Sequence, residues 1–591
     1  MLNPALLPTP LPFTRPPLLA PAEQRTREGY SAFAFDLFLL VLRLRFNALV
    51  LRGDPSVRGA MVRDFLESRG GLWINAGRLL GMRADLRARS FINELNLIQE
   101  RESPLPWGDA RHVIEEDLGA PVARYFDAID DVPLGRTSLS QLHRAHLREE
   151  DAWVTVKVQR PGLAQVLEHD RALIVQVIRL LSAQWRRAFR GIDWEVAEWR
   201  LKLAVQAETD YRHEATGGAK LRSVLKRHGV YVPKVFGRYA RARLLVLEHV
   251  AAPRLSDFLA FRRHDPAGAA AWLAENDIDP KVLARKLYDT FLRQNFEDNL
   301  VHGSLGPDSI LLLRRSSLAV VDLADVHGHD ARFKTVYQMF LKAVVGREYA
   351  KAADLIFLLC DSLPSTDLAP ARMAIIRACR TWEGRTHLRG VDYRERSIGG
   401  LGAQLATILH GSRIVTSWEF MKAMRAWESL DAAASALDPE LEAPELLTRG
   451  FRKASRRTMR AARRGGVTAG VGKLSSVLSE SRFFQAGLLR RQTHVFQQTE
   501  SKLSYFMALV FRYLRWCVVL AAAAFAYNIS YQQGQLWTLV IETPWLKDTA
   551  RSMPHLQRQV AAVVALVLGY LYLWFRRTER RLLEPGPAAR G

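Results

Sequence analysis

At 591 residues the chain is longer than one hydrophobic core ordinarily serves, so two or more domains are expected. Hydrophobic residues make up 48 %, which excludes a wholly disordered chain. Lys plus Arg exceed Asp plus Glu by 84 − 61 = 23, so an anionic partner is expected: nucleotide phosphate, anionic lipid or nucleic acid.

The first element is a proline-rich stretch, residues 1–30, without the basic start and continuous apolar core of a secretory signal. It reads as a disordered or extended tail. A helical extension follows over 31–130. Its first piece, "SAFAFDLFLLVLRLRFNALVLRG", is apolar but broken by Arg43 and Arg45, which argues against a membrane span. Two readings stay open for it: an amphipathic helix on a membrane, or a helix packed on the protein's own core.

Strand character begins near 131. In "DAWVTVKVQRPG", Val154, Val156 and Val158 face one way and Trp153, Thr155, Lys157 and Gln159 the other, with Pro161-Gly162 ending the run. Long helices are predicted over 163–190 and 194–225, then two strands, "VYVPKVFG" and "ARLLVLEHV". Helices dominate from about 255. "KVLARKLYDTFLRQNF" sets Leu283, Leu287 and Phe291 on one face. The loop "VHGSLGPDS" and two short strands, "ILLL" and "LAVVDLAD", interrupt them. The order predicts an α+β domain of two lobes, 131–250 and 251–440, with a cleft between.

A basic segment, 441–500, follows, either a solvated helix face or linker or a surface for anionic headgroups. Within 501–591, "LVFRYLRWCVVLAAAAFAYNI" and "VAAVVALVLGYLYLWF" are two apolar runs flanked by arginine. They predict a transmembrane hairpin with both outer ends cytoplasmic, the competing reading being a buried hairpin. Cys360, Cys379 and Cys517 are scattered, so no disulfide framework or zinc site is expected. Zinc-finger spacing and RNA-binding aromatic motifs are absent, so nucleic acid is not expected as a partner.

Lys157 is the first residue with chemical meaning. A mid-strand lysine facing away from a valine row can hold nucleotide phosphates, and a helical glutamate can hold the lysine. Glu208, Asp210 and Glu214 are the candidates. On one continuous helix Asp210 and Glu214 share a face, with Glu208 about 120° away from Glu214.

Several segments together resemble the UbiB/AarF family of atypical kinase-like, membrane-associated proteins, which is linked to ubiquinone biosynthesis. They are "VKVQRPG", "ETDYRHEA", "PLGRTSLSQLHRAHL" and "RLLVLEHVAAPRLSDFL". The resemblance spans about 60–335 and includes the C-terminal hairpin. It implies a protein-kinase-like fold with ATP or ADP and Mg²⁺ in the cleft. It also implies Lys157 and Glu214 at the nucleotide, Gly135, Arg136, Thr137 and Ser138 in the loop over the phosphates, and Glu248 and Val250 at the inter-lobe hinge. Glu208 and Asp210 match the family's E-x-D residues, and Asp322 its metal-binding aspartate, with Ala324 in place of the following glycine.

The departures matter as much. The family's K-x-G-Q motif appears as Asn75, Gly77 and Arg78, so only the glycine is kept. In the catalytic loop Ser304 replaces the aspartate and Ser309 the metal-holding asparagine. Asp308 and Asp325 are the nearby carboxylates available as substitutes, Asp308 as a metal ligand. A positioned base contributes about 10²–10⁴-fold, and a serine hydroxyl carries no charge near neutral pH. The expectation is therefore a membrane-anchored pseudokinase that binds nucleotide and serves isoprenoid-quinone or other lipid metabolism as a scaffold or lipid-handling factor. The competing expectations are an active, rewired ATPase or kinase and a membrane-surface protein without nucleotide. Expected partners are anionic membrane lipids, quinone-pathway proteins or an isoprenoid lipid, and a second copy of the chain. The expected location is the bacterial cytoplasmic membrane, with the kinase-like part in the cytoplasm.

Overall fold

The valine row of the predicted strand forms the heart of a sheet, as its alternation requires. Five strands make it up: β1 (Phe126–Ile129), β2 (Gly135–Arg136), β3 (Ser140–Leu147), β4 (Ala152–Gln159) and β5 (Leu244–Glu248). The order is β1-β3-β4-β5, with β2 on β3, and every pairing is antiparallel. Val154, Val156 and Val158 are fully buried with Val113, Ile114, Leu244 and Val246. The computed structural model of the protein describes residues 1–13, 30–49, 54–81, 89–98, 104–184, 194–364, 367–388, 390–465, 509–527 and 558–583, with single positions 507, 529 and 552. The chain divides into two units, residues 1–480 and 481–591.

Helices α1 (Tyr30–Leu49), α2 (Pro55–Arg69), α3 (Gly71–Gly81) and α4 (Arg89–Leu95) form the predicted extension, followed by α5 (Trp107–Leu118). Leu72, Trp73, Ile74 and Leu95 share a core with Leu163 and Leu167 of α6 (Leu163–Gln184), Leu201 and Val205 of α7 (Trp194–Thr209), and Leu139. Leu139 lies in the loop between β2 and β3, so the extension packs directly on that loop.

The single helix predicted over 194–225 is two helices. Asp210 takes an extended backbone (φ −138°, ψ 95°) and caps α8 (Tyr211–Lys226), its carboxylate accepting from the Arg212 N–H at 3.0 Å. An aspartate competes for backbone donors in this way, which favours a helix start over a helix interior. The predicted strand "VYVPKVFG" is also absent. Pro233 lacks the donor a ladder needs, and the stretch makes only isolated bridges, Tyr231 to Ala319 and Val235 to Leu247.

The helical part holds α9 (Leu255–His264), α10 (Pro266–Glu275) and α11 (Pro280–Arg293). Strand β6 (Val301–His302) pairs with β9 (Val326–His327), and β7 (Ile310–Leu313) with β8 (Ser317–Val320). Helices α12 (Ala331–Val345), α13 (Tyr349–Leu358), α14 (Ala369–Thr386), α15 (Tyr393–Arg396), α16 (Ile398–Gly411), α17 (Trp418–Leu437) and α18 (Ala443–Gly465) follow, with β10 (Cys360–Ser362) paired to β11 (Val415–Thr416). Leu283, Leu287 and Phe291 of α11 are buried as predicted.

Residues 1–13, expected to be disordered, are packed. The Leu2 N–H donates to Glu248 Oε1 at 2.6 Å, and Leu6 O accepts from the Arg314 N–H at 3.0 Å. Thr9 exchanges hydrogen bonds with Asn276 and accepts from Trp272 Nε1 at 3.0 Å. Leu2 and Leu7 lie against a cluster of Val250, Leu311, Leu313 and Ala319. Leucines at 2 and 7 and a threonine at 9 carry no periodic signal, which is why composition alone reads as a tail.

In the second unit, α19 (Leu509–Tyr527) and α20 (Arg558–Leu583) are both exposed and apolar. Windows of 19 residues, Leu509–Tyr527 and Val560–Thr578, have mean hydropathies of 1.7 and 1.5 and are long and apolar enough to cross a membrane. Phe511 meets Trp574 and Phe575 with ring centroids 5.9 and 5.8 Å apart, so the two helices form a hairpin. Their outward residues, among them Leu520 and Leu566, are exposed, which sets aside the reading as a buried core hairpin. Most of the predicted basic segment, 466–500, lies outside the described residues.

Candidate nucleotide site

Strand β4 carries Lys157 between Leu142 of β3 and Leu245 of β5. Its ammonium reaches Glu214 Oε2 at 2.7 Å, both side chains being largely shielded. Glu214 lies in the first turn of α8, and Tyr211, which opens that turn three residues earlier, sets its ring 4.6 Å from the same ammonium. A carboxylate and an aromatic face both stabilise a cation in a shielded place, so the Lys157 side chain is oriented from two sides. Sequence reasoning found Lys157 and Glu214 and missed Tyr211.

The remaining acids of that stretch do other work. Asp210 caps α8, and Arg212 binds its carboxylate at 2.7 Å, holding it below the usual carboxylate range. The side chain of Glu208 lies outside the described residues. Gly77 of α3 is held tight: a Cβ there would lie 2.5 Å from Ile98 and 2.7 Å from Leu66. Asn75 and Arg78 are half-buried on the same helix.

The loop expected to cover phosphates is a closed turn. Thr137 Oγ1 accepts from the N–H groups of Leu139 (3.2 Å) and Ser140 (3.0 Å), and the Thr137 N–H donates to Ser140 O at 2.8 Å. Three amides that a phosphate cradle would use are thus spent within the turn. Gly135 and Arg136 are held in β2, with Arg136 exposed, and Ser138 is buried. At the expected hinge, the buried Glu248 carboxylate accepts from Leu2 N–H, Tyr231 O–H (2.6 Å) and Lys234 N–H (2.9 Å). Val250 packs in the cluster that receives Leu2 and Leu7. The side chains of Glu248 and Val250 are therefore structural and leave only backbone for a ligand.

Pairing of β6 with β9 brings the serine loop against residues 322–327. Gly303 N–H donates to Asp325 O at 2.8 Å, and a Cβ on Gly303 would sit 2.3 Å from Asp325 Oδ2. Ser304 Oγ donates to that carboxylate at 3.1 Å, and His327 Nδ1 lies 3.1 Å from its other oxygen. Burial raises the Asp325 carboxyl, but His327, with Arg425 and His302 behind it, more than offsets this and keeps it ionised. Ser309 Oγ turns inward, donating to Ser304 O (2.6 Å) and Gly306 O (3.0 Å). It braces the loop and does not face outward as a metal ligand.

Asp322 is exposed in the left-handed region (φ 64°, ψ 68°), a conformation unfavourable for a side chain and kept only when neighbours enforce it. Its neighbour Leu323 is buried, and a Cβ on Gly218 of α8 would lie 2.6 Å from Leu323 Cδ1. The helix that holds Lys157 through Glu214 is thus packed on the turn that carries Asp322. Among the described residues no three His, Cys, Asp or Glu side chains converge to hold an ion. Of the two carboxylates expected at a metal, Asp322 is exposed on the turn after β8 and Asp308 is exposed in the serine loop, where its carbonyl accepts from Arg254; Ser309 Oγ is turned inward. Of the residues expected at a nucleotide and its metal, Lys157 offers a cation and Asp322 an exposed carboxylate.

Residues 97–356 match the model of the ABC1 atypical kinase-like domain. The chain is similar to "Probable protein kinase UbiB" of Shewanella loihica, 29 % identical over 276 residues, covering 46 % of this chain and 48 % of that one. It is also similar to the protein of the same name from Aeromonas salmonicida, 31 % identical over 256 residues, covering 43 % and 44 %. The chain thus spans about half the length of these relatives. Among solved structures, the complex of Rv3197 with erythromycin from Mycobacterium tuberculosis matches with a TM-score of 0.37 and 17 % identity, over 69 % of this chain and 98 % of that one.

Proposed function

We propose that the chain, whose residues 97–356 match the ABC1 atypical kinase-like domain and which is similar to UbiB proteins, is a membrane-anchored pseudokinase serving isoprenoid-quinone metabolism. It binds ATP or ADP at Lys157 and acts as a scaffold or lipid-handling partner. The observation that carries this is a contrast between two parts of the kinase-like domain. The Lys157–Glu214 pair at 2.7 Å is intact, whereas Ser304 and Ser309 spend their hydroxyls on the loop and on Asp325. Binding should outlast transfer under those conditions, because the positive charge is kept and the base and second ligand are not.

The anchor is the hairpin of α19 and α20, and the kinase-like part faces the cytoplasm of a bacterial inner membrane, since the basic run precedes the first span. Part of that run is used internally: Lys453 pairs with Asp289 at 2.6 Å and Arg457 with Glu297. Arg452 and Arg456 point outward from α18 and suit anionic headgroups. Asp322, exposed on the turn after β8, is the carboxylate that would hold a Mg²⁺ ion brought in with the nucleotide.

The test is a thermal-shift titration of the full chain in detergent with ATP and ADP, with and without Mg²⁺, alongside a phosphate-release assay. Stabilisation by nucleotide, lost in Lys157→Ala, with no turnover is the expected result. No nucleotide shift would leave the reading as a membrane-surface protein. A second reading, a rewired active enzyme, has one specific support: the ionised Asp325 sits one hydrogen bond beyond the lost aspartate. Turnover that survives Ser304→Ala and dies in Asp325→Asn would establish that reading over the first.

A further inference from the structure

The two readings of the first helix each describe one of its faces. Phe33 is buried, its ring 5.3 Å from that of Trp73, and Asp36 pairs with Arg69 of α2, so one face of α1 is seated on the protein. The other face is neither seated nor polar. Phe35 and Phe38 are 60 % and 61 % exposed, and Leu42 and Phe46 each 53 %. At 100° per residue these four fall within an arc of about 80° and run about 16 Å along the axis. Exposed Arg43 lies on one flank of the stripe and exposed Arg45 on the other. Three phenylalanines and a leucine aligned on one helix in water form a contiguous apolar patch, which a soluble surface rarely carries without a partner.

We infer that this stripe docks on the lipid bilayer, with the aromatic rings at the level of the acyl boundary and Arg43 and Arg45 at the headgroup phosphates. This rests on the membrane-anchored reading above and adds a second, peripheral contact far from the hairpin in sequence. Charge selects the bilayer over a second copy of the chain. The one acid of α1 is Asp36, already engaged by Arg69 on the inward side. Two copies stacked on their stripes would bring Arg43 of each copy to the seam with no further acid of α1 to meet it. A plane of lipid phosphates supplies that charge, and an apolar stripe with basic flanks is the pattern of a helix lying in the interface.

The experiment uses the full chain in vesicles of phosphatidylethanolamine and phosphatidylglycerol, with Cys360, Cys379 and Cys517 replaced by serine. One sample carries an environment-sensitive dye on Leu42→Cys, a second on Leu566→Cys in α20. Brominated lipid should quench the dye at 42 severalfold more than aqueous iodide does, and Phe35→Asp with Phe38→Asp should reverse that preference while leaving the melting temperature in place. If that pair of substitutions unfolds the chain, quenching of the unsubstituted Leu42→Cys sample still decides. Quenching by bromolipid at 566 but by iodide at 42 overturns the docking inference alone. Iodide quenching at both overturns the anchored reading as well. Disulfide formation between copies through Leu42→Cys, with no bromolipid quenching, assigns the stripe to a dimer and overturns the inference.

Discussion

Glu214 is buried and its charge is answered by Lys157, so the two residues are worth more together than either alone. Lys157→Met should lower stability by about 3 kcal/mol, because a buried carboxylate is left unpaired. Lys157→Met with Glu214→Leu should recover most of the melting temperature and still show no shift with ATP, which separates binding from folding in one calorimetric series. A second buried acid lies well away in sequence. Asp431 accepts from Gly399 N–H at 2.9 Å and Tyr393 O–H at 3.1 Å, yet burial pushes its carboxyl up to about 7. A raised carboxyl binds its proton more tightly folded than unfolded, so its contribution is complete below about pH 4 and is lost as pH rises towards 7. Denaturant melts between pH 4 and 8 should show that fall in the wild type and a flatter profile in Asp431→Asn. Lys157 and Glu214 were legible because strand alternation and helix spacing are local. Asp325 is a candidate in the sequence, but its hydrogen bond to Ser304 was not legible, since 21 residues separate them and the pairing of β6 with β9 brings them together. Tyr211 was hidden for the same reason: its ring meets Lys157 across two elements.

Elements transmit what residues hold. Helix α8 rests on the turn after β8 through Gly218, where no Cβ fits beside buried Leu323. Gly218→Val should cost about 1–3 kcal/mol from overpacking and should also weaken nucleotide binding, because moving α8 moves Glu214. A parallel Gly217→Ala variant, whose Cβ would make ordinary contact with Val326, should do neither. Thermal melts with and without ATP read both effects. The helices and the central strand could be read from periodicity, which follows one element at a time. The break at Asp210 could have been read as well, since an aspartate followed by a helical run is a start signal, but continuous apolar spacing on either side masked it. The failure of "VYVPKVFG" as a strand has its warning in Pro233.

For the whole molecule, the two units differ in what solvent they need. The kinase-like unit has apolar cores of its own, whereas α19 and α20 expose apolar residues along their length. The 591-residue chain should resist carbonate extraction from membranes, and a chain ending at residue 480 should be released by it, as immunoblots of the two fractions would show. The C-terminal hairpin was legible because apolar length and flanking arginines are properties of sequence alone. The packing of residues 1–13 was not, because it depends on grooves built by residues more than two hundred positions later. Those thirteen residues touch the end of β5 at Glu248 and the β7–β8 turn at Arg314. The sheet and the helical part cannot rotate against each other without shearing one of these hydrogen bonds. The Leu2 amide is thereby a built-in strain gauge: its hydrogen-exchange rate should rise or fall with every ligand that changes the angle of the cleft, whether or not any reaction follows.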